Sequence, residues 1–263
     1  MSHHTDQGQE LSLIDHLLEL RSRLMKALLA VVIFIVALAP FARRLYGWLS
    51  EPLVRHLPEG SSMIAIDVAS PFFTPFKLVM VLGLLLAMPV VLYQIWAFVA
   101  PGLYQREQRL TKPLLWASVV LFYAGCAFAY FVVFPVIFAF FTAMAPDGVA
   151  VMTDINRYLD FVITLFIAFG LAFQVPVVTI VLVAMGVVSV VALRRARGYV
   201  VIGAFTVAML ITPPDLISQT LLALPVLALY EIGIIMARVL VRDSDGNEDN
   251  DKDKDQGVID PSS

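Results

Sequence analysis

The sequence predicts an all-α integral membrane protein of six transmembrane helices with both termini in the cytoplasm, and three observations predict it. Of 263 residues, 60% are hydrophobic and 15% charged, with a mean hydropathy of +0.85. One soluble core cannot bury that much apolar surface, so lipid must solvate it. The apolar residues also gather into runs able to cross ~30 Å of hydrocarbon at ~1.5 Å per residue. Finally, Lys and Arg concentrate in alternate connections, which orients the chain.

The N-terminus carries His3, His4, Asp6 and Glu10 ahead of any apolar stretch. It lacks the basic-then-apolar order of a cleavable signal peptide, so the first apolar segment is expected to stay in the mature protein. Residues 1–23 read as a cytoplasmic arm. Ser12 and Asp15 resemble a capping box opening an amphipathic helix. Leu13, Leu17, Leu20 and Leu24 form one stripe of it, and Asp15, Glu19, Arg23 and Lys26 another. The arm reads either as an interfacial anchor for the first span or as a docking surface containing Glu19 and Arg21.

The membrane domain is expected over residues 24–238. Its spans run from Leu24 to Ala42, Phe76 to Val99, Leu114 to Met144 and Phe161 to Val188. The third run, 31 residues, would reach ~46 Å as a straight helix. It must tilt, bend near Pro135 or project beyond the bilayer, and projection is the favoured reading. Tyr199 to Ile211 is 13 residues and Leu216 to Tyr230 is 15. The fifth and sixth helices are therefore expected to be short, about 20 Å, with lipid thinned beside them.

Eleven bases fall on one side: Arg21, Arg23, Lys26, Arg106, Arg109, Lys112, Arg194, Arg195, Arg197, Arg238 and Arg242. The other side has Arg43, Arg44, Arg55 and Arg157, with Lys77 at a boundary. This asymmetry places both ends of the chain inside. Residues 239–263 are expected to form a disordered acidic cytoplasmic tail. Positions 243–263 hold eight of the 21 acids and two of the 18 bases, too little apolar surface to offset ordering entropy.

The chain has no Walker loop, dinucleotide fingerprint, Ser-His-Asp set or His-Glu-x-x-His motif. It is expected not to be an enzyme and to need no cofactor. Nothing in it calls for a nucleic-acid partner. Its one cysteine, Cys126, lies in an apolar run, which leaves no intrachain disulfide and no Cys/His metal site. The halves do not mirror one another as inverted repeats do.

Several polar positions stand out. Glu107 is the one acid among Arg106, Arg109 and Lys112. It suits an internal ion pair, or a site that takes a ligand guanidinium by its planar fork. Inside the membrane lie Gln94, Gln174, Gln219 and Glu231, and intramembrane polar groups are functional candidates. Glu231 precedes Arg238 by two turns, so snorkelling is its plainer explanation. Asp215, after Thr212-Pro213-Pro214, reads as a helix cap. Pro176 is expected to unpair the Ala172 carbonyl and kink the fourth helix, with Gln174 near enough to satisfy it. The outward segment of residues 43–75 is too polar to span and too apolar to float, so it is expected to cap the outer helix ends.

Four segments carry a resemblance: His16-Leu-Leu-Glu19-Leu-Arg21-Ser-Arg23-Leu, Ser70-Pro71-Phe72, Tyr104 through Glu107, and Thr212-Pro213-Pro214-Asp215. In this order the chain resembles the TatC family, the signal-peptide receptor subunits of twin-arginine translocases, over about residues 11–240. The resemblance implies a concave, glove-like six-helix bundle in the bacterial inner membrane. It implies a receptor that binds twin-arginine signal peptides, self-associates in a receptor complex, joins the single-span partners TatA and TatB, and exports folded proteins on the proton motive force. Carried over residue by residue, Glu107 and Glu19 would meet the arginine pair, with Arg21 and Phe98 supporting that cytoplasmic site. Pro52 and Asp215 would act at the outer face, and Gln219 would belong to a partner-binding surface. Many family members carry Glu where this chain has Gln174. An amide cannot titrate, so position 174 is expected to recruit or register a partner helix, not to carry protons. The alternative from another class is a proton- or ion-coupled small-molecule transporter using Glu231 and Asp215; a passive scaffold is a third reading.

Overall fold

A computed structural model describes residues 5–56, 64–99, 108–143, 153–211 and 216–256, with the side chains of 5–16, 52–56, 108–111, 141–143, 218 and 240–256 left undescribed. Five segments among the described residues are long and apolar enough to cross a membrane: Leu17–Glu51, Ser70–Val99, Lys112–Phe140, Ile155–Ala184 and Gln219–Val239. Arg197–Ile211 is a shorter apolar helix. The protein is thus an all-helical multi-pass membrane protein with five long spans and one short one.

Helix α1 (Thr5–Leu38) joins the N-terminal arm and the first span without interruption. Ser12 therefore lies inside a helix and does not open one. Pro40 sits in a 3-10 turn, Ala39–Phe41, from which α2 (Ala42–His56) departs. Helix α3 (Ser70–Val99) starts before the apolar run that announced it and contains Pro75 and Pro89.

The third run is divided. Helix α4 (Gln108–Phe128) passes through a π-helical stretch, Ala129–Val133, into α5 (Phe134–Ala143). Pro135 cannot donate to the carbonyl four residues earlier, which falls within the π stretch, so the wider turn sits where the α ladder is interrupted. Helix geometry changes near Pro135, where projection alone had been favoured.

The fourth span breaks as expected. Helix α6 (Ile155–Ala172) ends two residues before α7 (Val175–Ala184), whose Pro176 lies in the first turn. The next connection forms a short helix, α8 (Val190–Arg195), capped by Ser189, whose Oγ accepts from the Ala192 N–H. Helix α9 (Arg197–Ile211) follows.

The last helix corrects two expectations. Helix α10 (Leu216–Gln256) contains a 21-residue apolar span, Gln219–Val239, so the sixth span is not short. Glu231 does not end it, because Arg197 Nη2 donates to Glu231 Oε2 at 2.6 Å. Nor does the helix stop at residue 238: its backbone continues into the acidic run, most of which had been expected to lack structure. The span has already met the cost of helix nucleation, and each further residue adds a hydrogen bond.

The chain forms two compact units: Met1–Pro101 with Ala129–Ile167, and Gly102–Phe128 with Ala168–Ser263. In the first, α1 and α2 pack on α3. Gly83 permits close approach, since a Cβ there would lie 2.5 Å from Ile35 Cγ1. Buried Leu78, Leu159 and Ile163 receive Leu45, Tyr46 and Leu49 of α2. Phe134 packs against Phe138 and Tyr158 beside this core. In the second unit, α10 packs on α7 and α9. Gly125 lets α4 meet α6, because an added Cβ would fall 2.4 Å from the Phe169 carbonyl oxygen. Small residues at such crossings are the usual means of helix association in lipid.

Candidate functional site

Among the described residues of the first unit, a polar cluster forms around Asp154. Asp154 Oδ1 accepts from the Asn156 and Arg157 N–H groups at 3.1 and 3.0 Å, capping α6. Its Oδ2 accepts from the Ile66 N–H at 3.0 Å. The Ile64 N–H donates to the Thr153 carbonyl, and the Ile155 N–H donates back to that of Ile64. Tyr158 donates to the Leu49 carbonyl at 2.9 Å. The segment after α2 is thereby tied to the start of α6, and α2 packs on the Leu78, Leu159 and Ile163 core. The Arg157 N–H foremost, then that of Ile66, hold the Asp154 carboxyl below its usual range. Nearby, Lys77 pairs with Asp160.

Sequence reasoning missed Asp154, although Asp immediately before an apolar-periodic segment is an N-cap signal. It also missed Tyr158 and the Lys77–Asp160 pair, whose partners are 83 to 109 residues distant in sequence.

On α1, Glu19 Oε1 accepts from Arg23 Nε at 2.8 Å and from Nη2 at 2.5 Å. This is a pair between adjacent helical turns, with both side chains partly accessible. Arg21 is exposed. Two positions from Glu19, it points to a different face of the helix. Phe98 is half-buried in the last turn of α3. Glu107, the central residue of the proposed cytoplasmic site, lies outside the described residues, as does Asp215. Pro52 falls within α2.

In the second unit, Gln174 occupies the break between α6 and α7. Its Nε2 donates to the Ser118 carbonyl of α4 at 2.8 Å, so the amide bridges to another helix of the same chain. The expected contact with the carbonyl freed by Pro176 is not the one this amide makes, because the turn at 173–174 directs the side chain toward α4. Ser118 is fully buried and donates its own hydroxyl to the Leu114 carbonyl. It is the only polar side chain between Leu114 and Leu121 apart from the Trp116 indole N–H, a signal that could have found it. Gln219 is half-buried near the start of the last span. Tyr230 donates to the Leu193 carbonyl at 2.8 Å beside the Arg197–Glu231 pair, fixing α8 to α10.

The sequence matches the TatC family model, described as Sec-independent protein translocase protein, over residues 15–225. It is 54% identical over 250 residues to the Sec-independent protein translocase protein TatC of Azotobacter chroococcum mcd 1, covering 95% of this chain and 98% of that one. It is 55% identical over 229 residues to the TatC protein of Escherichia coli K12, covering 87% and 89%. The fold matches a crystal structure of a twin arginine translocase receptor, TatC, with a TM-score of 0.77 at 35% identity, covering 85% of this chain and 98% of that one. Identity of this extent along nearly the whole length, with the same helical architecture, shows that the chain belongs to the TatC family.

Proposed function

We propose that this chain is the signal-peptide receptor subunit of a twin-arginine translocase in the bacterial cytoplasmic membrane, with both termini inside. It binds twin-arginine signal peptides at its cytoplasmic face and assembles with TatA and TatB to export folded proteins on the proton motive force. The observation that carries this reading is the family match over residues 15–225, an interval that contains all eight candidate residues.

Glu107 and Glu19 are the acceptors for the two guanidinium groups, each able to take a fork-shaped pair of N–H donors. Glu19 holds Arg23, but such a partly exposed pair one turn apart is worth only about 0.3–0.5 kcal/mol. A ligand arginine can therefore displace it at little cost. Arg21 and Phe98 support the same face. Pro52 and Asp215 act at the outer face and Gln219 on a surface used by partner helices, while Gln174, whose amide bonds Ser118 of the same chain, holds the α6–α7 break against α4. Position 174 moves no proton, so coupling to the gradient uses other groups. Glu231, on which a transporter reading would depend, already has Arg197 as its partner.

Expression in cells lacking their own TatC tests the proposal. Wild type restores export of a folded twin-arginine cargo, whereas Glu107→Gln lowers it at least tenfold at equal protein level. Restoration that is indifferent to the Arg-Arg pair of the cargo would contradict it.

A further inference from the structure

Thr74, on the second turn of α3, is 1% exposed, and its Oγ1 has no hydrogen-bond partner among the described residues. A buried hydroxyl without a partner is costly and calls for an explanation. The residue lines a cavity of about 370 Å³ together with Arg43, Tyr46, Pro71, Pro75 and Ile155. Arg43 is exposed and makes no ion pair among the described residues. The Tyr46 hydroxyl makes only a long 3.5 Å contact with the Ile155 carbonyl.

A second cavity, of about 210 Å³, shares Arg43, Pro71 and Pro75 and continues along Ala39, Pro40, Phe72 and Phe76. The two together make an amphipathic slot, with a cation and two hydroxyls at one end and aliphatic and aromatic walls at the other. Phe72 and Phe73 stand exposed beside it, as aromatic residues do at the headgroup level of a bilayer. Asp154, next to the cavity-lining Ile155, is engaged by three backbone N–H groups.

We infer that this slot holds one glycerophospholipid of the outer leaflet, its phosphate accepting from Arg43 and Tyr46, and from Thr74 once rotation about χ1 turns the hydroxyl into the cavity, with the start of an acyl chain lying against Phe72 and Phe76. Arginine suits a phosphate by its paired donors. The smaller cavity takes about seven methylenes if each fills the ~30 Å³ of a liquid water.

The test uses the full chain, purified in detergent and stripped of lipid, with native mass spectrometry and thermal unfolding as readouts. Phosphatidylglycerol, diacylglycerol with the same acyl chains, and inorganic phosphate are added back separately. The expected result is one retained phosphatidylglycerol that raises the Tm, a much weaker effect of diacylglycerol, and none of phosphate alone. Arg43→Gln and Thr74→Val each weaken retention about tenfold or more, the loss of one charge-assisted or otherwise unsatisfied hydrogen bond. Equal retention of diacylglycerol, or unchanged retention in both variants, would overturn the inference. A Thr74→Val protein that is more stable yet binds lipid as before would mean that the hydroxyl is only hydrated. An equal Tm shift with inorganic phosphate would make this an anion site and remove lipid as its source.

Discussion

At the scale of single residues, two polar groups of the spans are held by partners within the chain. Gln174 is bonded to Ser118, and Glu231 to Arg197. Gln174→Leu removes the hydrogen bond that ties the α6–α7 break to α4, so stability should fall by about 1 kcal/mol, read as a lower Tm in detergent. Glu231→Gln should cost less than about 1 kcal/mol, because both partners are half exposed. Asp154 gives a pH signature. Its folded pKa is depressed, so its stabilising contribution is full above the unfolded value of ~3.9 and is lost as pH falls through the folded one. Thermal unfolding from pH 7 to pH 3 should therefore show a smaller acid loss in Asp154→Asn than in wild type. The polar residues themselves were visible in the sequence. Their partners were not, because Glu231 meets an arginine 34 positions earlier and Gln174 a carbonyl 56 positions earlier. Nothing local in a sequence encodes such a pairing.

At the scale of elements, composition located the spans and misjudged one end. Five apolar runs became long helices, the break at Pro176 occurred, and the described part of the segment after Arg43 packed as α2 and the Asp154 cluster against the first unit's core. The short sixth span was an error of punctuation. Glu231 looked like a terminus, but its pair with Arg197 lets the helix run on. Close packing explains the small residues within these helices. Gly125 faces the Phe169 carbonyl with no room for a methyl group, and backbone cannot swing aside as a side chain can. Gly125→Ala should cost about 1–3 kcal/mol, measured as loss of thermal stability. Gly203, with open space at its Cα, should accept Ala without that penalty.

At the scale of the whole molecule, α9 is, among the described residues, the apolar helix too short for an ordinary bilayer. Its 15 residues cover about 22 Å against ~30 Å of hydrocarbon. Lipid beside it must thin or its flanks must snorkel, and we propose that this thinning assists passage of cargo where TatA gathers. Lengthening α9 by one turn should impair export while leaving signal-peptide binding intact; unchanged export would remove the idea. Receptor function requires none of this to be correct, since it depends on recognition at the cytoplasmic face. The most direct test is binding of a twin-arginine signal peptide to the purified protein, comparing Arg-Arg with Lys-Lys peptide and wild type with Glu107→Gln. Our account predicts that both changes weaken binding at least tenfold, because neither an ammonium nor an amide reproduces the fork-to-carboxylate pair. Equal binding of the two peptides to the wild-type protein would contradict it.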